Sequence, residues 1–576
     1  MVQVCAGVLL ALALSWWGWP SWGQPLAPPP PQTLVPNLDS FPLVEPYDLG
    51  MAAIDQTGVD AALATMPLPL TGAIALPPGN RPVPWVIILH GRHGGCHFNP
   101  EATSEWPCEP EPRFDLGFAY LAQTLAEAGY GVLIPNLNAA FSETYGASAD
   151  NRNELADQRS GQIIDAHLIR LAQAHLGDEQ GFGVALAGRV ELGRLAMVGH
   201  SMGGGAAALI ALRRAEDQQG SGSVEPLEER IAAGLGPIAA LVLVSPTRSY
   251  AIAQRPDAYQ LTDVPTAVIA GGCDRDIFDL SSLYYVETAR QQPRTTAVVG
   301  ILLPGANHHY FNAAVAEDDY YRQPNNAPLC NPQRSRQRLS RVAQERFLSQ
   351  YTQACLQAIW VEENDDLTTV GMATHRAAPG TLGGQSVLTT LVAPGTQRAP
   401  LGQADTPLPD NLTATAGLTM SRCAALTLCD QPARPYPHFP DLLTLAWDTG
   451  PQQLQVALET ANFSDSASLN LRLAPDPAWA LPPYQPAFAV VLRDRQGNAA
   501  RVEILATVPA LHQFEADPTA GLTAPLYASD LRIPLGQFDG VDLTALTSID
   551  LVFDQTPKGK LHLVSLEFVG QADFGF

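Results

Sequence analysis

Two hydrophobic patterns divide the chain. Between about residues 50 and 362, short runs of β-branched and aliphatic residues alternate with segments whose apolar residues recur at helical spacing. The predicted strands are Trp85 to His90, Val132 to Pro135, Leu195 to Gly199, Ala239 to Val244, Ala267 to Gly271 and Ala297 to Leu303, and the predicted helices are Leu116 to Ala128, Arg152 to Leu176 and Met202 to about Arg214. This alternation predicts an α/β domain, with a mostly parallel sheet and helices on both faces.

The last third of the chain has a different pattern. Beyond about Asp366 the helical spacing fades, and apolar and polar residues alternate between turn signals. The clearest strand-like runs are Leu454 to Leu458, Leu469 to Leu473, Phe488 to Leu492 and Leu561 to Phe568. Short strands separated by turns predict a β-sandwich or jelly roll over residues 373–576, after a catalytic domain at 50–362.

The N-terminus has the features of an export signal. Val4 to Trp19 carries no charge, and Ser21-Trp22-Gly23 offers small residues on either side of a cleavage site. We expect residues 1–23 to be a signal peptide and residues 24–49 to be a Pro-rich linker. The alternative is an uncleaved membrane anchor. With the signal removed, we expect a secreted or extracytoplasmic protein without a membrane span.

The charge of the chain excludes one class of partner, and its cysteines bear on the compartment in which it folds. The formal net charge is −24, and Lys558 and Lys560 are the only lysines, so the chain has no basic face for nucleic acid. Export makes disulfides reasonable. Proximity along the chain predicts three pairs, Cys96 with Cys108, Cys330 with Cys355 and Cys423 with Cys429, and leaves Cys273 as a buried free thiol.

One motif carries the candidate chemistry. Gly199-His200-Ser201-Met202-Gly203 lies between a predicted strand and a helix rich in small residues. A sharp turn there would strain the backbone of Ser201 and expose its hydroxyl at a helix N-terminus, whose dipole favours developing negative charge. The pattern predicts a nucleophilic serine. The alternative is a glycine-rich turn with an incidental serine.

A nucleophilic serine needs a base and an orienting acid, in the chain order Ser, Asp, His for this type of sheet. His308 follows the last strand of the region and is the expected base, with His309 as the alternative. A third interpretation treats both as polar loop residues. The expected acid follows the preceding strand, where Asp276 is favoured over Asp274.

Acyl transfer also requires two backbone N–H groups directed at the oxyanion. The N–H of Met202 is the first, and the N–H of Arg92, in the loop after the first parallel strand, is the second, with His93 as the alternative. His90, His93 and His97 in that loop lack the spacing of a zinc site, so we expect no metal.

The loop from His308 to Cys330 is aromatic and acidic. It contains Tyr310, Phe311, Glu317, Asp318, Asp319, Tyr320 and Tyr321. A lid or acyl-pocket wall is as reasonable an interpretation as a packed surface loop.

Three local matches make the chain resemble the secreted α/β-hydrolases. These are Gly199 to Gly205, Gly272 to Asp276 and Gly305 to His308, and the similarity covers roughly residues 80 to 355. It is nearest to the bacterial cutinase and polyester-hydrolase branch and to the platelet-activating-factor acetylhydrolase type. The resemblance implies Ser201 as nucleophile, Asp276 as acid and His308 as base.

Two further features qualify the resemblance. Cutinases carry an aromatic residue after the strand that ends here at Val244, where this chain has Ser245 to Arg248, so polyester cleavage is not implied. The C-terminal region resembles the galactose-binding-like jelly rolls of carbohydrate-binding modules, in Phe538 to Asp542, Phe553 to Thr556 and Gly559 to Phe568.

The sequence thus predicts an exported serine hydrolase that cleaves a carboxylic ester through an acyl-enzyme on Ser201, without a cofactor. The expected substrate is a small-molecule, lipid or polymer ester, and a glycan is a candidate partner of the C-terminal region. One alternative is a peptidase or amidase with the same triad. Another is a non-catalytic surface or glycan-binding protein on a hydrolase scaffold.

Overall fold

The computed structural model describes most of the chain from residue 36 onward. The described residues are 36–93, 96, 106–148, 151–177, 181–220, 238–248, 257–321, 329–360, 366–403, 411–427, 429, 438–477, 486–512 and 526–571. The predicted signal peptide and residues 24–35 of the predicted linker lie outside these ranges. None of the helices within them combines the length and apolar character needed to cross a bilayer.

A nine-stranded mixed sheet forms the first part of the fold. Its strands, in spatial order, are β1 (Val44–Asp55), β2 (Thr65–Ala75), β4 (Gly131–Pro135), β3 (Val83–Leu89), β5 (Val190–His200), β6 (Ile238–Val244), β7 (Thr266–Gly271), β8 (Val298–Leu303) and β11 (Leu388–Val392). The six from β4 to β8 run parallel, and the others join antiparallel at the edges. All six strands predicted for this region are present, and so is the mostly parallel sheet.

Helices cover both faces of this sheet. They are α1 (Ala119–Glu127), α2 (Arg152–Leu176), α3 (Met202–Gly220), α4 (Tyr284–Gln291), α5 (Arg341–Trp360) and the short α6 (Asp366–Thr369). Ile87 and Met197 belong to one core with α2 and α3, whereas Ile88 and Val198 belong to another with α1 and α5. Successive side chains of a strand point to opposite faces, so alternate residues fill the two cores.

The C-terminal part is a sandwich of two antiparallel sheets. One contains β14 (Leu418–Cys423), β15 (Leu442–Trp447), β22 (Gly559–Gly570), β17 (Ser466–Pro475) and β20 (Ser529–Pro534), with β12 (Arg398–Gln403) paired to β22. The other contains β13 (Leu412–Ala414), β16 (Gln452–Ala461), β21 (Leu546–Phe553), β18 (Phe488–Asp494) and β19 (Ala499–Ile504). Their facing apolar residues form one core, in which Trp447 stacks on Phe553 at 4.4 Å between ring centroids. The predicted β-sandwich region is therefore present. A separate two-stranded hairpin, β9 (Thr381–Leu382) and β10 (Gln385–Ser386), precedes it.

The boundaries of the two regions differ from those expected. β1 starts at Val44, inside the predicted linker, because Val44, Tyr47 and Leu49 are buried when it pairs with β2. β11 lies within the range expected for the sandwich, yet it pairs with β8 and completes the mixed sheet. The sandwich therefore begins only at β12.

Two of the three expected cysteine pairs are present. Cys96 bonds to Cys108 and Cys423 to Cys429. Cys330 bonds to Cys273, so the expected pair with Cys355 and the expected free Cys273 are both wrong. Cys355 is a buried free thiol on α5, in the core that contains Phe347 and Tyr351 at the same helical spacing.

Buried ion pairs join the sandwich to the mixed sheet. Glu287 of α4 receives a bidentate contact from Arg472 of β17, and both side chains are 3% exposed. Glu567 of β22 accepts from Arg290 of α4 at 3.3 Å and from Arg398 of β12 at 2.8 Å. The polar face of this sandwich sheet is thus buried against α4 and its surroundings.

Candidate active site

Ser201 occupies a sharp turn between a strand and a helix. β5 ends at His200, α3 begins at Met202, and Ser201 between them has a φ of 56°. Few non-glycine residues adopt this left-handed region, and the surrounding structure must hold them there. Four backbone bonds do so: the Ser201 N–H donates to Val244 O at 2.9 Å, and its carbonyl accepts from the N–H groups of Gly204 at 2.9 Å, Thr247 at 3.1 Å and Gly205 at 3.3 Å.

Two glycines allow the end of β3 to approach this turn. A Cβ on Gly203 would lie 2.5 Å from the carbonyl oxygen of Leu89, so α3 could not pack against β3 with a larger residue there. A Cβ on Gly91 would lie 2.6 Å from Ser201 Cβ and 3.2 Å from its Oγ. The chain after β3 therefore runs directly beside the serine side chain.

The two predicted oxyanion donors adjoin these contacts. Met202 follows Ser201 and opens α3, where N–H groups have no acceptor inside the helix. Arg92 follows Gly91, and its guanidinium forms a partly exposed ion pair with Glu143.

His308 and Asp274 form a buried pair. His308 follows the end of β8, and its Nδ1 lies 2.8 Å from Asp274 Oδ2, with side chains 3% and 2% exposed. The other oxygen of Asp274 accepts from the N–H groups of Asp276 at 3.0 Å and Ile277 at 2.6 Å. This carboxylate is therefore fixed on one side by backbone and faces the imidazole on the other.

Asp276 occupies a different place from the one expected. Its Oδ2 is 3.4 Å from His309 Nε2 and 4.0 Å from His308 Nε2, and its side chain is 32% exposed. The carboxylate at Nδ1 of His308 is that of Asp274, the alternative candidate for the acid, and not that of Asp276, which the sequence favoured. The hydrogen bond from the Asp276 N–H to the side-chain Oδ1 of Asp274 closes a tight turn, and the carboxylate of Asp276 then lies on the Nε2 side of His308.

The imidazole of His308 lies close to the serine turn. Its ring centroid is 4.7 Å from that of His200, the residue before Ser201, and His200 Nε2 lies 3.1 Å from the carbonyl oxygen of His308. The Ser201 hydroxyl makes no hydrogen bond to any of the described residues, and its side chain remains slightly exposed. The alternative base, His309, has Nδ1 3.1 Å from the carbonyl oxygen of Glu317.

The surroundings give His308 an unusual pKa. Burial opposes its imidazolium, but the charge and hydrogen bond of Asp274, with the charges of Asp276 and Asp319, outweigh burial and raise its pKa to about 9. Nearby His93 and His200 show the opposite effect, because burial and neighbouring imidazolium charges hold the pKa of each well below the usual value. The hydrogen bond to a buried carboxylate thus distinguishes His308 from His93 and His200.

Metal binding gains no support from the part of the chain that is described. His90 Nε2 accepts from the N–H of Leu137 at 2.8 Å, and His93 packs against Phe114 with ring centroids 4.5 Å apart. No three His, Cys, Asp or Glu residues within the described ranges converge on a point where an ion could sit. His97, the third histidine of the loop, lies outside those ranges.

The aromatic, acidic loop contributes a residue that sequence reasoning did not single out. Asp319 is fully buried, and its carboxylate accepts three backbone N–H groups, from Arg275, His308 and His309. Phe311 and Tyr320 are buried as well, so the described part of this loop is packed into the protein. Three acidic residues in a row, Glu317 to Asp319, offered no signal that would have separated Asp319 from its neighbours.

Comparisons with known proteins identify no family. No family model and no curated protein matches the chain. Among solved structures, a family 11 carbohydrate-binding module of a cellulosomal cellulase from Clostridium thermocellum is 11% identical and covers 30% of this chain and 94% of its own, with a TM-score of 0.20. A structure from a study of two fungal esterases of Rhizomucor miehei is 14% identical and covers 55% of this chain and 85% of its own, with a TM-score of 0.29. TM-scores this low do not establish a shared fold.

Proposed function

We propose that this protein is a serine hydrolase of the α/β-hydrolase type that cleaves a carboxylic ester. The observation that carries the proposal is the buried His308–Asp274 pair beside a serine held at positive φ between a strand and a helix. Both features cost free energy, because strained backbone and buried charge are unfavourable. Proteins keep such features chiefly where they serve a function. The two features meet at the carboxyl ends of parallel strands, where sheets of this type assemble active sites.

In the proposed mechanism, Ser201 Oγ attacks the ester carbonyl carbon while His308 Nε2 takes the hydroxyl proton. The negative charge moves to the carbonyl oxygen, which the N–H groups of Met202 and Arg92 stabilise. The tetrahedral intermediate then expels the alcohol, which receives the proton from His308, and leaves an acyl-enzyme on Ser201. Water then attacks the acyl carbon while His308 Nε2 takes its proton, and His308 returns that proton to Ser201 Oγ as the bond to the acyl group breaks and the acid is released.

Asp274 is the proposed orienting acid. Its hydrogen bond to Nδ1 leaves Nε2 of His308 as the nitrogen that exchanges protons with Ser201 and the leaving alcohol. The buried carboxylate also stabilises the imidazolium that forms during attack. We expect the hydrogen bond between Ser201 and His308 to form with substrate, because such bonds are often long in ligand-free sites.

Export remains part of the proposal. The three disulfides, which join Cys96 to Cys108, Cys273 to Cys330 and Cys423 to Cys429, are typical of proteins that fold in an oxidising compartment. We therefore propose a secreted or extracytoplasmic enzyme. A glycan-binding role for the sandwich gains no support from its sheet that carries Arg472 and Glu567, because that polar face is buried within the protein.

The test is hydrolysis of p-nitrophenyl esters from acetate to palmitate by the protein and by Ser201→Ala and His308→Ala. We expect both variants to lose at least about a thousandfold in kcat, with the fold unchanged by circular dichroism. A fluorophosphonate probe should label the protein but not Ser201→Ala. A folded protein that neither hydrolyses any ester nor takes the label would refute the proposal, whereas labelling with cleavage of amides alone would favour the peptidase alternative.

A further inference from the structure

A single buried carboxylate joins the two loops that carry the acid and the base. Asp319 Oδ2 accepts from the N–H of Arg275 at 2.8 Å and of His308 at 3.2 Å, and Oδ1 accepts from the N–H of His309 at 3.3 Å. Arg275 follows Asp274 directly. The carboxylate of Asp319 therefore holds the backbone beside the acid and the backbone of the base itself.

The contact between His308 and Asp274 depends on the relative position of these loops. One loop follows β7 and the other follows β8, and a hydrogen bond weakens steeply when its atoms shift by a few tenths of an ångström. Among the hydrogen bonds of Asp319, those to Arg275 and His308 span the two loops. Loss of these bonds would leave the loops joined by the His308–Asp274 pair and by the contact of Asp276 with His309 at 3.4 Å. The backbone bonds from Gly272 N–H to Leu303 O at 2.9 Å and from Cys273 N–H to Ala306 O at 2.8 Å would also remain.

Asp319 is itself firmly held. Its neighbour Asp318 pairs with Arg338 at 2.8 Å and accepts from the side-chain amide of Asn307 at 2.9 Å. Farther along the chain, Cys330 is bonded to Cys273, the residue before Asp274. A carboxylate that accepts three N–H groups and whose neighbour is paired in this way can act as a reference for the two loops that it contacts.

We propose that Asp319 is a positioning residue that keeps the imidazole of His308 in register with Asp274 and Ser201. The inference rests on the proposed serine hydrolase function and assigns Asp319 no contact with substrate. Burial and the charge of Asp274 raise the pKa of Asp319, whereas the N–H groups that both of its oxygens accept favour the ionised carboxylate. In its ionised form, Asp319 adds negative charge beside His308.

Several ionisable groups face His308 and contribute to its titration. They are Asp274, Asp276, Asp319, His93, His200 and His309. Asp319→Asn removes one of the three carboxylates that raise the pKa of His308, so this pKa should fall while the other groups remain.

The test compares Asp319→Asn with the unaltered protein and with Asp530→Asn as a matched control. Asp530 is also a buried carboxylate that accepts a backbone N–H, from Leu391 at 2.6 Å, but it lies at the sandwich and not at the site. For Asp319→Asn we expect kcat for p-nitrophenyl acetate to fall about tenfold to a hundredfold with KM within about twofold. The pH midpoint of kcat/KM should move to lower pH, and Asp530→Asn should change neither quantity.

Hydrogen–deuterium exchange supplies a readout that requires no activity. We expect the amides of Arg275 and His308 to be protected in the unaltered protein and to exchange faster in Asp319→Asn, but not in Asp530→Asn. Unchanged kcat, pH midpoint and amide protection in a folded Asp319→Asn would overturn the proposal. If the variant does not fold, rapid exchange of these amides in the unaltered protein would do the same.

The two readouts separate this inference from the proposed function. If the protein hydrolyses no ester, the proposed function fails, and the exchange data still decide whether Asp319 positions the two loops. If it hydrolyses esters but Asp319→Asn matches it in every measurement, only the positioning role fails.

Discussion

Buried charge is treated differently in two regions of this molecule. Between the mixed sheet and the sandwich, buried Glu287 and Glu567 meet the guanidinium groups of arginines, which stay protonated at any ordinary pH. At the site, buried Asp274 and Asp319 meet an imidazole and backbone N–H groups instead. The first arrangement keeps its arginine charges at any ordinary pH, whereas the second contains His308, whose charge changes near pH 9.

The partner of a buried charge separates a structural ion pair from a pair that can do chemistry. Burial alone does not distinguish Arg472 with Glu287 from His308 with Asp274, since all four side chains are at most 3% exposed. The distinguishing feature is the partner's ability to lose its proton. Only the pair at the site can accept a proton and return it during a reaction.

The greatest loss of activity should follow substitution of the carboxylate that faces Nδ1 of His308. Asp274→Asn should lower kcat for ester hydrolysis about ten-thousandfold, because an amide favours the wrong tautomer of His308 and cannot stabilise its imidazolium. The isosteric change Asp276→Asn is the matched control, and we expect it to lower kcat less than about fivefold. Steady-state kinetics on p-nitrophenyl acetate above pH 9 check both variants. The reverse order of effects would restore Asp276 as the acid and contradict the role given to Asp274.

The second prediction concerns the stability that the buried ion pair of Arg472 with Glu287 contributes. Arg472→Met should lower the free energy of unfolding by about 3 to 5 kcal/mol, because Glu287 would keep a buried charge without its partner. Urea unfolding followed by tryptophan fluorescence measures this loss. We expect kcat of the folded variant to stay within about twofold, since the pair supplies no proton to the site.

A double variant is the control for that prediction. Arg472→Met with Glu287→Met removes both charges and should recover most of the lost stability, as paired replacement of a buried ion pair often does. A double variant no more stable than Arg472→Met would show that packing, not unpaired charge, causes the loss. The stability contributed by Arg472 and Glu287 would then come from packing, and their charges could not be compared with those of His308 and Asp274.

Much of the fold could be predicted because its signals are local. All six parallel strands and the three predicted helices follow from apolar runs and helical spacing. β2 was not predicted, because Pro67 and Pro69 interrupt its alternating pattern. Proline is rare inside sheets except at edges, so these residues argued against a strand. β11 could not be assigned to the mixed sheet, since its partner β8 lies about 90 residues earlier and pairing depends on tertiary contacts.

The site was predictable in part for the same reason. The strand–turn–helix pattern around Ser201 is local and strong, and the structure has that turn. The choice between Asp274 and Asp276 depended on a turn closed by a side-chain bond, which residue spacing does not reveal. The pairing of Cys330 failed because sequence proximity was preferred, although Phe347, Tyr351 and Cys355 already had the spacing of one buried helix face.

The smallest of the expected changes is the dependence of kcat/KM on pH, which can be measured without any substitution. His308 must be neutral to take the proton of Ser201, so a pKa near 9 predicts that kcat/KM rises from pH 7 and reaches half its maximum at about pH 9. About one molecule in a hundred has a neutral imidazole at pH 7 and about half have one at pH 9, which gives roughly a fiftyfold increase across this range and about a hundredfold increase to the plateau. Ser201→Ala measures the spontaneous hydrolysis to be subtracted at each pH.

Stability should respond in the opposite sense over the same range. The raised pKa of His308 contributes stability that is complete below its unfolded pKa and is lost as the pH rises through about 9. The lowered pKa of Glu567 contributes stability that is lost only in acid, so the interface should not change between pH 7 and 9. Rising activity with falling stability would assign both to His308. A kcat/KM midpoint near pH 6.5 would instead mean that the carboxylates around His308 do not act on it as their positions imply, and the distinction between the two regions would lose its electrostatic basis.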